Sequence, residues 1–293
     1  MNDANEISIA LKHNLSKIVS VLAGDIGSRS HAETENLEKA ACFIEDQFKS
    51  RGLVPERQTF NLKGNDYHNI FSEVEGTGAS DEILVIGAHY DTVGGSPGAD
   101  DNASGIAGML ELSRLIAKAP APYTVKFAAF TLEEPPFFRT KHMGSFIFAS
   151  SMYKKNIKVK GMISLEMIGY FNKEKGAQYY PFPAFRWFYP NVGDYIAFVG
   201  NLRSKSFTNK FVRIFKDVSS IPVESLNALS LIPGVDFSDH LSFWRFRYPA
   251  FMITDTAFYR NPYYHGPGDT ADTLDYGKMS ELVLGIYKTI LKL

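Results

Sequence analysis

Short apolar runs recur along this chain with amphipathic stretches between them, and that alternation narrows its possible folds more than any other feature. The runs 83–86, 125–130, 162–165, 195–199 and 250–253 are rich in β-branched and aromatic residues. Their length and content suit strands buried on both faces. Between them lie helical patterns. Leu37, Ala41, Ile44 and Phe48 share one face of a helix over 34–51, which Gly52 stops. Ile106, Met109, Leu110 and Ile116 mark a second, Phe207, Phe211, Val212 and Phe215 a third, and the tail 279–291 a fourth. Strands alternating with helices predict a three-layer α/β/α sandwich with a mixed, mostly parallel central sheet.

At 293 residues, 45% of them hydrophobic, the chain can bury a sizeable core. A single domain over 1–293 is expected, with a long surface excursion at about 171–194, where Tyr, Phe, Pro and Gly concentrate. The net charge of −1 favours neither nucleic acid nor a membrane surface as partner. The polar, acidic start lacks the pattern of a signal peptide, so a cytoplasmic protein is expected. The lone cysteine, Cys42, excludes an intramolecular disulfide and a cysteine zinc site. Its helical setting predicts a small buried apolar residue.

The residues that carry chemistry stand just after the apolar runs, where α/β sheets form their sites. His89 and Asp91 follow the first run two residues apart, which puts both on one side of a strand end. A carboxylate so placed can accept the free ring N–H of a metal-bound histidine. Asp100 and Asp101 are consecutive acids between small residues, ahead of a helix. A helix cap explains one of them and does not require two. Glu133 and Glu134 end the second run; adjacent carboxylates repel unless exposed or neutralised by a cation. One could bind metal while the other accepts a proton. Glu166 is a charge within an apolar stretch, costly to bury unpaired. His265 lies in a loop rich in Gly and Pro. Each alone has an ordinary reading as a loop or surface residue. Together they supply imidazole and carboxylate donors, the set hydrolytic zinc prefers.

The segments HYDTVGGSPGADDNASG, TLEEPPFF, LEMIGY and YYHGPGDTADTLDY, in this order and spacing, resemble the M28 family of zinc peptidases, from about residue 20 to the C-terminus. The resemblance implies an α/β/α sandwich and two zinc ions. It implies that Asp100 bridges the ions, with His89 and Glu166 completing one and Glu134 and His265 the other. Glu133 would be the general base, and Asp91 would orient His89. Asp101 would follow the bridging residue through a strained peptide bond, and Tyr264 would help polarise the substrate carbonyl. Ser238-Asp239-His240 resembles a segment near the site in many members, which gives His240 a supporting or substrate-contacting role. Many relatives carry Asp where this chain has Glu166. The implied activity is removal of the N-terminal residue of peptides by a zinc-activated water. The same likeness leaves two other reactions open: carboxypeptidase action, and the single-zinc cyclisation performed by glutaminyl cyclases.

Overall fold

The computed structural model describes residues 2–293, with side chains described from residue 6. The sheet begins at one edge with a hairpin. Strands β1 (Glu56–Leu62) and β2 (Asn65–Val74) pair antiparallel around Lys63-Gly64. Both turn residues have positive φ, as a two-residue turn matched to strand twist demands. The remaining strands are β3 (Ile83–His89), β4 (Thr124–Phe130), β5 (Val159–Glu166), β6 (Ile196–Asn201), β7 (Val223–Ala228) and β8 (Ala250–Thr254). The order across the sheet is β1-β2-β4-β3-β5-β8-β6-β7. Strands β4, β3, β5 and β8 run parallel in the centre, and β7 is parallel to β6. Strands β2 and β6 run against their central neighbours. The expected mixed, mostly parallel sheet is present.

Helices cover both faces. On one lie α1 (Asn2–Val19), α2 (Thr34–Ser50), α3 (Gly105–Lys118), α5 (Lys205–Val218) and α7 (Tyr276–Ile290); on the other lie α4 (Gly144–Lys154) and α6 (His240–Arg245). Strand alternation feeds the two layers. Leu84 and Ile86 of β3 join the core beneath α3 and α7, while Val85 packs with Phe148, Met152 and Phe243 on the other side. The central strands are therefore buried on both faces, which is why their sequences read as continuous apolar runs. Residues 171–194 leave the sheet between β5 and β6 and return through a bridge between Asn172 and Gly193.

Cys42 departs from the sequence expectation: it is exposed. The apolar stripe of α2 carries Leu37, Ala41, Ile44 and Phe48, and Cys42 falls just off it, beside Glu38 and Arg57. Among the described residues no helix is long and apolar enough to cross a membrane.

Candidate metal centre

Parallel neighbours β4, β3 and β5 bring three loops together at their carboxyl ends. From β3 come His89 and Asp91; from β4, Glu133 and Glu134; from β5, Glu166. The loop before α3 adds Asp101, and the loop ahead of α7 adds His265. His89 Nε2 lies 3.3 Å from Asp101 Oδ1 and 3.3 Å from Glu166 Oε2. His265 Nε2 lies 3.2 Å from the other Asp101 oxygen, Oδ2, and 3.2 Å from Glu134 Oε2. Two histidines are thus joined by one carboxylate, and each has a carboxylate of its own.

The shared carboxylate corrects the sequence reading, which gave that place to Asp100. Asp100 points away: its Oδ1 accepts from Gly169 N at 2.9 Å and its Oδ2 from Asn261 Nδ2 at 2.8 Å. Burial, and then the facing Asp255 carboxyl, raise its pKa well above the usual range. The two side chains diverge because Asp269 clamps both backbone N–H groups, at 2.8 Å for Asp100 and 3.0 Å for Asp101. The cis peptide bond here is Asp101–Asn102, so Asp101 precedes it. Asn102 then ties the loop to β5, donating to Leu165 O at 2.8 Å and accepting from Met167 N at 3.0 Å.

Asp91 sits where a histidine-orienting residue should, with Oδ1 at 3.6 Å from His89 Nδ1, although the nearer partner of that nitrogen is Asp91's own carbonyl at 3.1 Å. Its carboxylate also accepts the backbone N–H groups of Glu133 (3.2 Å) and Glu134 (3.1 Å), which aims that pair into the site. Either bond to Nδ1 leaves Nε2 free as a ligand atom. Tyr264 stacks on the His265 ring with centroids 3.7 Å apart. His240 does not reach the centre. It is fully buried in α6, with Nε2 donating to Val235 O at 2.8 Å and its ring against Trp244.

Electrostatics favour a cation at this place. Burial pushes Glu134 up to about 7, with Asp101 adding to it and His265 opposing. Burial raises Glu133 well above the usual range; His89 opposes this, and Glu166, Glu134 and Asp239 reinforce it. Burial would lower His265, but Asp101 and Glu134 outweigh it and lift the ring to about 10. Glu134 Oε1 is buried without a hydrogen-bond partner. Packed carboxylates that protonate or stay unpaired on their own are what a bound cation relieves. The residues fit zinc: imidazole nitrogens, carboxylate oxygens and no thiolate.

In the segment Ser238-Asp239-His240 the sequence reading gave the role to His240, whereas its two neighbours face the site, and other contributors escaped it altogether. Ser238 Oγ donates to Glu166 Oε2 at 2.7 Å and lies 2.8 Å from Ser164 Oγ. Asp239 is buried with neither carboxylate oxygen hydrogen-bonded, and burial pushes it up to about 7. Arg29 is fully buried and gives its guanidinium to five carbonyls, those of Leu22, Gly27, Tyr90, Pro97 and Gly98. It ties Tyr90, inside the His89–Asp91 segment, to the loop at Pro97-Gly98 and to the chain at Leu22 and Gly27. Asp269 and Asn102 fall within the motif segments and could have been found there; nothing in the sequence marks Arg29.

Beside Glu166 opens a cavity of about 120 Å³, walled by residues of the 171–194 excursion and of the loop before α6.

The profile of Peptidase family M28 matches residues 69–290. Uncharacterized protein YfbL of Escherichia coli is 42% identical over 94% of this chain and 87% of its own length. A probable leucine aminopeptidase 1 of Trichophyton verrucosum is 31% identical over 77% of this chain, which spans 58% of that relative's length. Among solved structures, a zinc aminopeptidase of Bacillus subtilis superposes with a TM-score of 0.75 at 14% identity, over 96% of this chain and 94% of that one. A glutaminyl cyclase of Fimbriiglobus ruber gives 0.74 at 20% identity, over 96% and 95%. Likeness at these identities describes a shared fold, which hosts both reactions.

Proposed function

The chain belongs to peptidase family M28, and from that premise we propose that it is a zinc-dependent aminopeptidase acting on the free amino end of peptides. The observation that carries this reading is Asp101. Its two oxygens face one histidine each, and each histidine has its own carboxylate. Glutaminyl cyclisation on one zinc has no use for that second half. His89, Asp101 and Glu166 would hold one ion; Asp101, Glu134 and His265 would hold the other.

When bound, zinc supplies Lewis acidity, lowering the pKa of water and polarising a carbonyl. The chain supplies the rest. Glu133 belongs to neither donor set, yet its carboxylate lies within the same cluster as His89 and Glu134. It takes the proton of the attacking water and passes it to the leaving amine. Asp91 holds that base through the Glu133 backbone N–H while fixing the His89 ring. Tyr264 lines the cavity beside Glu166. Burial, then Asp101 and Glu134, raise its phenol, which therefore remains a donor for the scissile carbonyl through neutral pH. The cavity receives the side chain of the terminal residue.

The test pairs peptides with free and acetylated α-amines, before and after chelation. Free peptides should lose one residue at a time, acetylated ones should survive, and zinc should restore what a chelator removes. Equal cleavage of both peptide sets, or full turnover in metal-free protein, would sink the reading. Peptides beginning with Gln separate the rival reaction: loss of ammonia without loss of a residue marks a cyclase.

A further inference from the structure

One row of residues crosses four neighbouring strands at the rim of the sheet. Glu166 of β5 is in register with Thr254 of β8, Thr254 with Ala197 of β6, and Ala197 with Glu224 of β7. Residues in register share a face, and all four line the cavity. The next in-register row on that face, Met252, Val199 and Leu226, continues the floor. The row therefore begins at a carboxylate of the metal centre and ends at a second carboxylate, with only small side chains between. Three strand spacings separate the end Cα atoms by about 14 Å.

The far end is unlike the rest of the floor. Glu224 is half-buried at the edge of an aromatic cluster. Tyr180 stacks on Tyr189 at 5.8 Å, Phe185 packs edge-on against Tyr189 at 5.8 Å, and the Tyr180 and Tyr195 hydroxyls meet at 3.0 Å. Burial raises the phenols of Tyr180, Tyr189 and Tyr195, and the charge of Glu224, which lines the same cavity, adds to each. Among the described residues no Lys, Arg or His forms an ion pair with Glu224; burial raises its carboxyl, and Lys216 lowers it only from a distance. Arg260 packs on the Tyr195 ring at 4.6 Å, gives Nε to Gln178 and Nη1 to the Tyr195 carbonyl, keeps Nη2 buried without a partner, and forms no ion pair with Glu224. A carboxylate partly removed from water, without an ion-pair partner and lining a cavity whose other walls are largely aromatic, is unfavourable until a cation arrives.

We propose that Glu224 is a specificity-determining residue that selects peptides whose N-terminal residue is basic, Lys or Arg. The inference rests on the aminopeptidase reading and deepens it. With the substrate's scissile carbonyl at the metal centre, its side chain runs along Thr254 and Ala197 towards Glu224. A leucine or phenylalanine side chain stops short, over the small floor residues. A lysine or arginine stem covers that apolar floor and carries its charge to the carboxylate and the tyrosine faces. An acidic side chain is repelled there. An apolar one long enough to reach the end would strip water from Glu224 and leave it unpaired.

The experiment measures kcat/KM for aminoacyl-coumarin substrates of Arg, Lys, norleucine, Leu and Glu. It uses the zinc-supplemented full chain and its Glu224→Gln and Glu224→Leu variants. Alongside, calorimetric titrations compare lysinamide with norleucinamide, which has the same stem without the charge. The wild type should favour Arg and Lys over norleucine by at least about tenfold. Glu224→Gln should lower Arg and Lys turnover by about 10–100-fold while leaving norleucine and Leu within about threefold. Lysinamide should outbind norleucinamide in the wild type, and the difference should vanish in Glu224→Gln. Good turnover of Leu with poor turnover of Arg and Lys overturns the selectivity and leaves the aminopeptidase reading standing. Equal losses on every substrate in both variants make Glu224 structural and also overturn it. Absence of turnover on every free-amine substrate removes the parent reading and this inference together.

Discussion

Glu166 and Glu224 end the same row across the sheet, yet their surroundings have little in common. Glu166 is buried, accepts from Ser238, faces His89 and belongs to a strand paired on both sides. Its neighbours are held in turn: Asp101 by Asp269, Glu133 and Glu134 by Asp91, the backbone between His89 and Asp91 by Arg29. Glu224 stands on the edge strand β7, half-exposed, opposite a tyrosine-rich excursion held mainly by aromatic packing. One end fixes atoms to within a bond; the other offers shape and charge. Reaction geometry tolerates little displacement, whereas selectivity is tuned by changing what lines a pocket. Substitutions at the two ends should therefore differ in kind. Those at the metal centre lower turnover of every substrate alike, and those near Glu224 change the ratios between substrates.

The largest effect is expected at Glu133. Glu133→Gln keeps size and removes the proton acceptor, so kcat should fall by about 10²–10⁴-fold on basic and apolar substrates equally. Zinc content should stay unchanged. Glu134→Gln should lose zinc along with activity, because it removes an anionic donor from the His265 side. Zinc stoichiometry and kcat on both proteins, prepared side by side, check this. If Glu133→Gln sheds zinc while Glu134→Gln keeps it, the two roles are reversed. If Glu133→Gln changes only the ratio between substrates, the division between the two ends breaks.

The Asp pair sharpens the metal end itself. Asp101→Asn should lower zinc below the wild-type stoichiometry, since one carboxylate serves both histidines. Asp100→Asn keeps one acceptor where Asp100 uses two, for Gly169 and for Asn261, yet as a supporting change it should cost at most about 10–100-fold in zinc affinity, the usual range for such partners. Competition against a chelating dye reads both. Zinc lost from Asp100→Asn but kept by Asp101→Asn would return the bridging place to Asp100.

This pair also marks where sequence reasoning stopped. The central strands were legible because burial on both faces writes itself as short apolar runs, and the carboxyl ends of those runs pointed to His89, Glu133, Glu134 and Glu166. The choice between Asp100 and Asp101 was not legible. Two adjacent identical side chains are separated only by where the backbone turns, and Asp269, distant in sequence, decides that turn. Strand β7 was missed because an edge strand with every residue half-buried carries no apolar run. The hairpin β1–β2 was missed because β1 is mostly polar and buries no residue fully. Helix α1 was in fact readable in Leu11, Leu15 and Ile18, an apolar stripe at helical spacing behind a polar start. The row from Glu166 to Glu224 lay beyond any one-dimensional reading, since strands β5, β8, β6 and β7 meet out of chain order.

The smallest effect tests whether the two ends are joined. His240 follows Ser238 and Asp239 at the metal side, while its Nε2–H is donated to Val235 O in the cavity wall. Its Nδ1 is buried without a partner, so a second proton would have nothing to bond, and burial pushes the ring down to about 4. In the unfolded chain the ring titrates near its ordinary value of about 6.5. Between those values the unfolded chain binds a proton that the folded chain refuses, so stability rises with pH through this window. The contribution is fully present above about 6.5 and lost as pH falls towards 4, about 3 kcal/mol across the whole window. Between pH 8 and pH 6 the wild type should lose about 1 kcal/mol more than His240→Gln, which keeps a donor and does not titrate. Urea unfolding of both proteins at the two pH values measures the difference. Loosening the Val235 contact should also shift the ratio of basic to apolar kcat/KM by a few-fold without touching zinc content. An identical pH dependence in the two proteins would deny the neutral, buried bridge. A shift in zinc content instead of the substrate ratio would assign His240 to the metal end alone.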